Sequence, residues 1–220
     1  MQLRLTAFSV AIVKSTKIIK LASTKDETVV LIHEELLCFF SPYYAAALKG
    51  NFLEAQKESL DVDLSGDDLE RFAKWLYTGD VSGSITVIGS VRLYIFADQV
   101  DIMALRRTVI NELPEGSMLD YDTIKLVHAK LPGTSPLLKY ALACYIAHWE
   151  PDDDNDDPCL LSSKMDSDHL LANFVYQVLR GVALRELKNP PGCPCCNDIC
   201  QYHEHSSKKE WEASKLSQSA

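Results

Sequence analysis

The chain has 220 residues, 47% of them hydrophobic, and a formal net charge of −9 at pH 7. This length and composition suffice for a sizeable core, in one compact domain or in a domain with an extension. The acidic balance argues against nucleic acid as the main partner, because binding a polyanion requires clustered lysines and arginines. We therefore expect a protein partner.

The cysteines and the hydropathy pattern both favour an intracellular protein. The cysteine count of seven is odd, and Cys38 and Cys144 lie in apolar helical patterns, where a small buried thiol is the usual interpretation. Unpaired thiols are typical of a reducing compartment. No apolar run approaches the roughly 18 residues that a membrane helix needs. We therefore expect a cytoplasmic or nuclear location and no membrane contact.

The first part of the chain predicts a small sheet. Residues 1–14 are predicted to be an added strand or a loose arm. Residues 17–21 and 28–32 are rich in apolar and β-branched side chains and predict a hairpin. Residues 60–64 alternate apolar and polar side chains, which predicts a strand with one buried face.

Capping residues mark the helices around that last strand. One helix is predicted to begin after Ser41, whose side chain can accept a free amide hydrogen, and to end at Gly50 in the left-handed conformation. Ser65 and Asp68 resemble a capping box at the start of a second helix, which ends at Gly79. Loss of the Ser41 cap should cost about 1 kcal/mol.

This order of elements resembles the BTB/POZ domain, and similarity to its fungal-type branch extends over roughly residues 15–205. Residues 91–113 look like the helical hairpin that closes this fold. The resemblance implies an α+β protein, with a small sheet flanked by helices and followed by an all-helical extension. It rests on these residues: His33, Leu36, Leu37, Ser41, Tyr44, Phe52, Glu58 and the run from Trp75 to Gly79.

The resemblance also implies interface residues. In dimer-forming members, an aspartate near the first strand pairs with a lysine or arginine after the helix-opening histidine. The matching positions here hold Lys17 and Glu34, so the signs are reversed. Either the pair is kept in inverted form, which preserves its attraction, or both residues are solvated and the dimer is absent.

Many BTB proteins are substrate adaptors of cullin-type ubiquitin ligases, and these commonly carry a hydrophobe-any-Glu motif after the second helix. The matching residues are Gln56, Lys57 and Glu58, so the glutamate is present and the hydrophobic position is polar. The adaptor is therefore the alternative to a general interaction module. A transcription-associated scaffold is a third hypothesis. These residues do not support it, because they contain no basic helix and no zinc finger.

The remainder of the chain predicts helices. Three helices are predicted in an extension from residue 115 to 188: one over residues 121–131, one opened by Ser135 and one over residues 168–188. The acidic stretch 151–158 is predicted to be a solvated linker. It cannot be a calcium loop, because the required glycine and glutamate are missing. The predicted domains are thus an arm (1–14), a BTB domain (15–114), a helical region (115–188) and a tail (189–220).

The tail is rich in metal-ligating side chains. Cys193 and Cys196 have the spacing that lets two thiolates reach one zinc ion, and Cys200 and His203 complete a set of four. The two halves are too close in sequence for an ordinary zinc finger. The alternatives are a packed tail with ordinary thiols, or a tail that docks on the helical region, as the resemblance implies.

No constellation of residues predicts catalysis. The sequence contains no nucleophile elbow, phosphate-binding glycine loop, dinucleotide fingerprint or HExxH motif. His128, His148 and His169 are isolated on predicted helices. We therefore predict a non-enzymatic protein–protein interaction module that self-associates or docks on another protein.

Overall fold

The structure is a computed structural model that describes residues 17–50, 57, 59–83, 86–114, 118–149, 169–188, 194–205 and 207–212. The fold is mixed α+β, as predicted, with a three-stranded sheet and many helices. The chain divides into two compact units, Met1–Val109 and Ile110–Ala220. Among the residues that the structure describes, no helix has the length and apolar character needed to cross a membrane.

The sheet of the first unit comprises β1 (Ile18–Ser23), β2 (Val29–His33) and β3 (Ser59–Val62), in the order β2-β1-β3. Strand β1 runs antiparallel to β2, which confirms the predicted hairpin, and parallel to β3. Alternate side chains point to opposite faces of a sheet. Ile19 and Ile32 are opposite each other, only 1% exposed, and face the core. The other face of β1 and β2 is turned to solvent.

The helices described in this part of the chain are α1 (Glu34–Phe40), α2 (Pro42–Lys49), α3 (Gly66–Thr78), α4 (Val87–Gln99) and α5 (Met103–Glu112), the last of which ends in the second unit. Helices α1 and α3 contact strand β2. Aromatic side chains of α3 and α4 form part of the core. The rings of Phe72 and Phe96 meet edge to face at 5.0 Å. Trp75 Nε1 donates a hydrogen bond to Thr108 Oγ1 at 3.1 Å, which ties α3 to α5.

Three of the four ends predicted for the two helices beside β3 have the expected geometry. Ser41 and Ser65 cap α2 and α3, and each side-chain oxygen accepts a backbone hydrogen bond from the residue three positions ahead. Gly79 ends α3 in the left-handed conformation with φ 73°. The left-handed conformation predicted for Gly50 is wrong, because its φ is −87° and the chain leaves α2 extended.

The second unit is helical in its described part. Helices α6 (Tyr121–Lys130), α7 (Pro136–His148) and α8 (His169–Lys188) confirm the three predicted helices, and α9 (Pro194–Asn197) and a 3₁₀ helix (Ile199–Tyr202) follow. The predicted acidic linker lies outside the described residues.

The apolar face of α7 is buried within its own unit. Phe174 of α8 meets Tyr145 of α7 edge to face at 5.2 Å. Tyr140 of α7 meets Tyr202 of the 3₁₀ helix at 5.4 Å in the same geometry. The described part of the tail therefore packs on the helical unit, which is the docked arrangement implied by the resemblance.

Candidate interaction surface and metal-binding groups

The solvent face of the sheet carries exposed apolar side chains. Ile18 and Val29 are each 52% exposed and Leu31 is 59% exposed. Leu31 lies opposite Lys20. Asp61 of β3 is exposed and lies opposite Ala22, which is two residues after Lys20 on β1, so Asp61 is on the same face. We call Ile18, Lys20, Val29, Leu31 and Asp61 the outer sheet face. Large contiguous patches of exposed apolar side chains are typical of interaction sites, and the outer sheet face is therefore a candidate.

The structure places the two predicted interface residues Lys17 and Glu34 in contact at the border of the outer sheet face. Lys17 Nζ lies 2.6 Å from Glu34 Oε2, and the side chains are 59% and 8% exposed. The backbone N–H of Glu34 also donates to the Lys17 carbonyl at 3.0 Å. The charge pair therefore exists in inverted form within one chain, and its part in a dimer stays a prediction.

A groove runs along the opposite border of the sheet, between α2, β3 and the end of α4. Its volume is about 310 Å³, and its lining includes Tyr43, Lys57, Leu60 and Val100. Tyr43 is 52% exposed at its mouth. The third predicted interface residue, Glu58, lies outside the described residues.

In the second unit, one group of metal-ligating side chains joins α7 to α9. His148 Nε2 at the end of α7 lies 3.3 Å from the Sγ atoms of both Cys195 and Cys196. The two sulfurs are 4.0 Å apart. Cys195 is 2% exposed and is disulfide-bonded, whereas Cys196 is a thiol. We call these three residues the Cys195–Cys196 group.

A second group lies at the 3₁₀ helix. Cys200 is fully buried, and its Sγ lies 3.3 Å from His205 Nε2. His203 completes the group, whose ligand atoms all lie within 4.8 Å of one another. His203 Nε2 forms a 2.9 Å hydrogen bond with Asn111 Oδ1. We call Cys200, His203 and His205 the Cys200 group. In both groups the side-chain atoms are close enough together to share a metal ion, but in the Cys195–Cys196 group one of the sulfurs is in a disulfide bond.

The predicted ligands are thus divided between two groups in the described part of the chain. Cys200 and His203 come together as expected, whereas Cys196 joins His148 and Cys195. Cys193 lies outside the described residues. His148 was missed because it is 48 residues from Cys196, and no local spacing connects them.

No protein-family model and no curated protein matches the chain in sequence. The resemblance to the BTB/POZ domain therefore stays a prediction from the residues quoted for it.

Proposed function

We propose that the chain is a non-enzymatic BTB/POZ-type protein-interaction module that self-associates through the outer sheet face. The observation that carries this proposal is the exposure of Ile18, Val29 and Leu31 on one face, beside the Lys17–Glu34 pair. The sequence resemblance and the α+β fold support it. Burying exposed apolar area is worth about 25 cal/mol per Å², so covering this face is favourable.

The charges on the outer sheet face favour a second copy of the chain as the occupant. A two-fold symmetric contact brings the same surface of both chains together. Lys20 and Asp61 are both exposed on this face and have opposite charges. Across a two-fold axis, Lys20 of one chain can therefore face Asp61 of the other while the apolar side chains meet.

Light scattering after size-exclusion chromatography tests the proposal with a matched pair of variants. Leu31→Glu places a charge in the outer sheet face, and Tyr43→Glu places one at a similarly exposed aromatic residue on the groove. We expect a dimer for the wild type and for Tyr43→Glu, and a monomer of 24.6 kDa for Leu31→Glu. If Leu31→Glu and Tyr43→Glu have the same molar mass, the outer sheet face is not the dimer interface.

The groove favours a second candidate function, that of a cullin-ligase substrate adaptor. Its lining combines apolar and aromatic side chains with the polar side chains of Asp61, Asp63 and Gln99, and it includes Lys57 of the sequence that matches the adaptor motif. Binding of a purified cullin N-terminal region, measured by calorimetry, should be lost in Tyr43→Glu and kept in Leu31→Glu. Absence of binding by the wild type would reject the adaptor and leave the self-association proposal standing.

For the tail we propose zinc as the metal of the Cys200 group. Thiolate and imidazole are the ligands that zinc prefers in proteins. The hydrogen bond from His203 Nε2–H to Asn111 Oδ1 leaves Nδ1 as the lone-pair nitrogen, and such a partner orients a ligating histidine. Zinc here would hold the tail on the helical unit. Metal analysis should show one zinc ion fewer in Cys200→Ser than in the wild type.

A further inference from the structure

We propose that the Cys195–Cys196 group is a separate zinc site, which reduction of the Cys195 disulfide makes available. The distances carry the first half of this proposal. Zinc with tetrahedral ligands at about 2.3 Å to sulfur and about 2.05 Å to nitrogen requires about 3.8 Å between sulfurs and about 3.6 Å between sulfur and nitrogen. The group has 4.0 Å and 3.3 Å. Its ligand atoms are therefore within a few tenths of an ångström of a zinc site.

The scaffold holds these atoms from two separate elements. His148 ends the 13-residue helix α7, and the cysteines lie on α9, which packs against α7. Cys195 is almost fully buried, and Cys196 and His148 are half-buried. A metal here links residues 47 positions apart. Three protein ligands leave a fourth position for water or another donor.

The disulfide carries the second half of the proposal. Zinc binds the thiolate form of cysteine, so a sulfur in a disulfide bond is not an equivalent ligand. With Cys195 disulfide-bonded, the group offers only the Cys196 thiol and the His148 imidazole. Zinc occupancy is therefore coupled to the redox state of Cys195.

The redox step is a thiol–disulfide exchange with a dithiol reductant. The dithiol gives up two electrons and two protons and becomes a cyclic disulfide, while the S–S bond of Cys195 breaks and both of its sulfurs become thiols. Zinc then displaces one proton each from Cys195 and Cys196 and accepts the lone pair of His148 Nε2. A disulfide oxidant reverses the step and releases the metal.

Zinc content of the purified full-length chain tests this proposal. One sample is kept without reductant, and a second is reduced with dithiothreitol; both are freed of small molecules, given zinc and freed of excess zinc. We expect the reduced chain to hold one more zinc ion per chain than the untreated chain. An equal zinc content in both samples would overturn the proposal.

Variants assign that additional zinc ion. Cys196→Ser and His148→Gln should each abolish the increase on reduction, and Cys200→Ser should keep it while losing the zinc ion of the other group. Cys38→Ser, at a half-buried thiol of the first unit, is the matched control and should change nothing. An increase that survives in both Cys196→Ser and His148→Gln would place the metal elsewhere.

Cobalt substitution gives an independent readout of the ligands. Cobalt(II) bound to thiolates shows sulfur-to-metal charge-transfer absorption, which grows with the number of thiolates. The cobalt ion gained on reduction should show this band in the wild type, and in Cys196→Ser both the gained ion and its band should be absent. A gained ion without the band would overturn the assignment. The result is independent of self-association, because no residue of the outer sheet face is changed.

Discussion

Replacement of Ser41 by alanine should destabilise the first unit more than loss of an ordinary helix cap. Ser41 is fully buried. Its Oγ accepts the Tyr44 backbone N–H at 3.0 Å, and its hydroxyl donates to the carbonyl of Val100, 59 residues away. Loss of the cap costs about 1 kcal/mol, and removing the donor to a buried carbonyl costs about 2 kcal/mol. We expect a loss of about 3 kcal/mol.

Urea unfolding measures this loss. In a background with Trp149→Phe and Trp211→Phe, the fluorescence of Trp75 reports on the first unit. A slope of about 2 kcal/mol per molar urea converts the loss to a midpoint shift of about 1.5 M. Ser65→Ala, which removes the cap of α3, is the control and should shift the midpoint by about 0.5 M. Equal shifts for the two variants would refute the role given to the Val100 bond.

Two further predictions concern pH and packing. Hydrogen bonds from Thr28 and Gly66 lower the pKa of Asp26 from 3.8 to about 2, so its stabilisation is present above about pH 4 and is lost as pH falls towards about 2. In Asp26→Asn, stability should therefore depend less on pH in that range, which acid unfolding monitored by circular dichroism measures. In Gly181→Ala, the new Cβ would lie 2.2 Å from Ile146 Cδ1, and the overpacking should cost about 1–3 kcal/mol in thermal unfolding. In an Ile146→Ala background the same change should be neutral or stabilising.

Local signals in the sequence were sufficient for most of the elements. These elements depend on residues that are close together in the sequence, so the side-chain chemistry and conformational freedom of those residues predict them. Examples are the caps at Ser41 and Ser65, the hairpin and the turn at Gly79. Gly50 shows the limit of this reasoning. Glycine permits the left-handed conformation and does not require it, and the path of the following chain decides.

The parts that could not be predicted depend on contacts between distant residues. The bond from Ser41 to Val100 spans 59 positions, and His148 meets cysteines 47 and 48 positions away. A sequence pattern places His148 on a helix, and only the packing of α9 on α7 brings it to the cysteines. For Lys17 and Glu34 the sequence left two alternatives open, a charge pair or two solvated residues, because exposed ion pairs contribute little and form only when geometry favours them. The structure contains the pair.

The molar mass of the wild-type chain in solution is the most direct test of the proposed self-association. Light scattering over a dilution series separates a dimer from a monomer without any substitution. The outer sheet face predicts a mass of twice 24.6 kDa at high concentration, which falls towards 24.6 kDa on dilution. A mass of 24.6 kDa at every concentration would contradict the proposal that two copies cover this face.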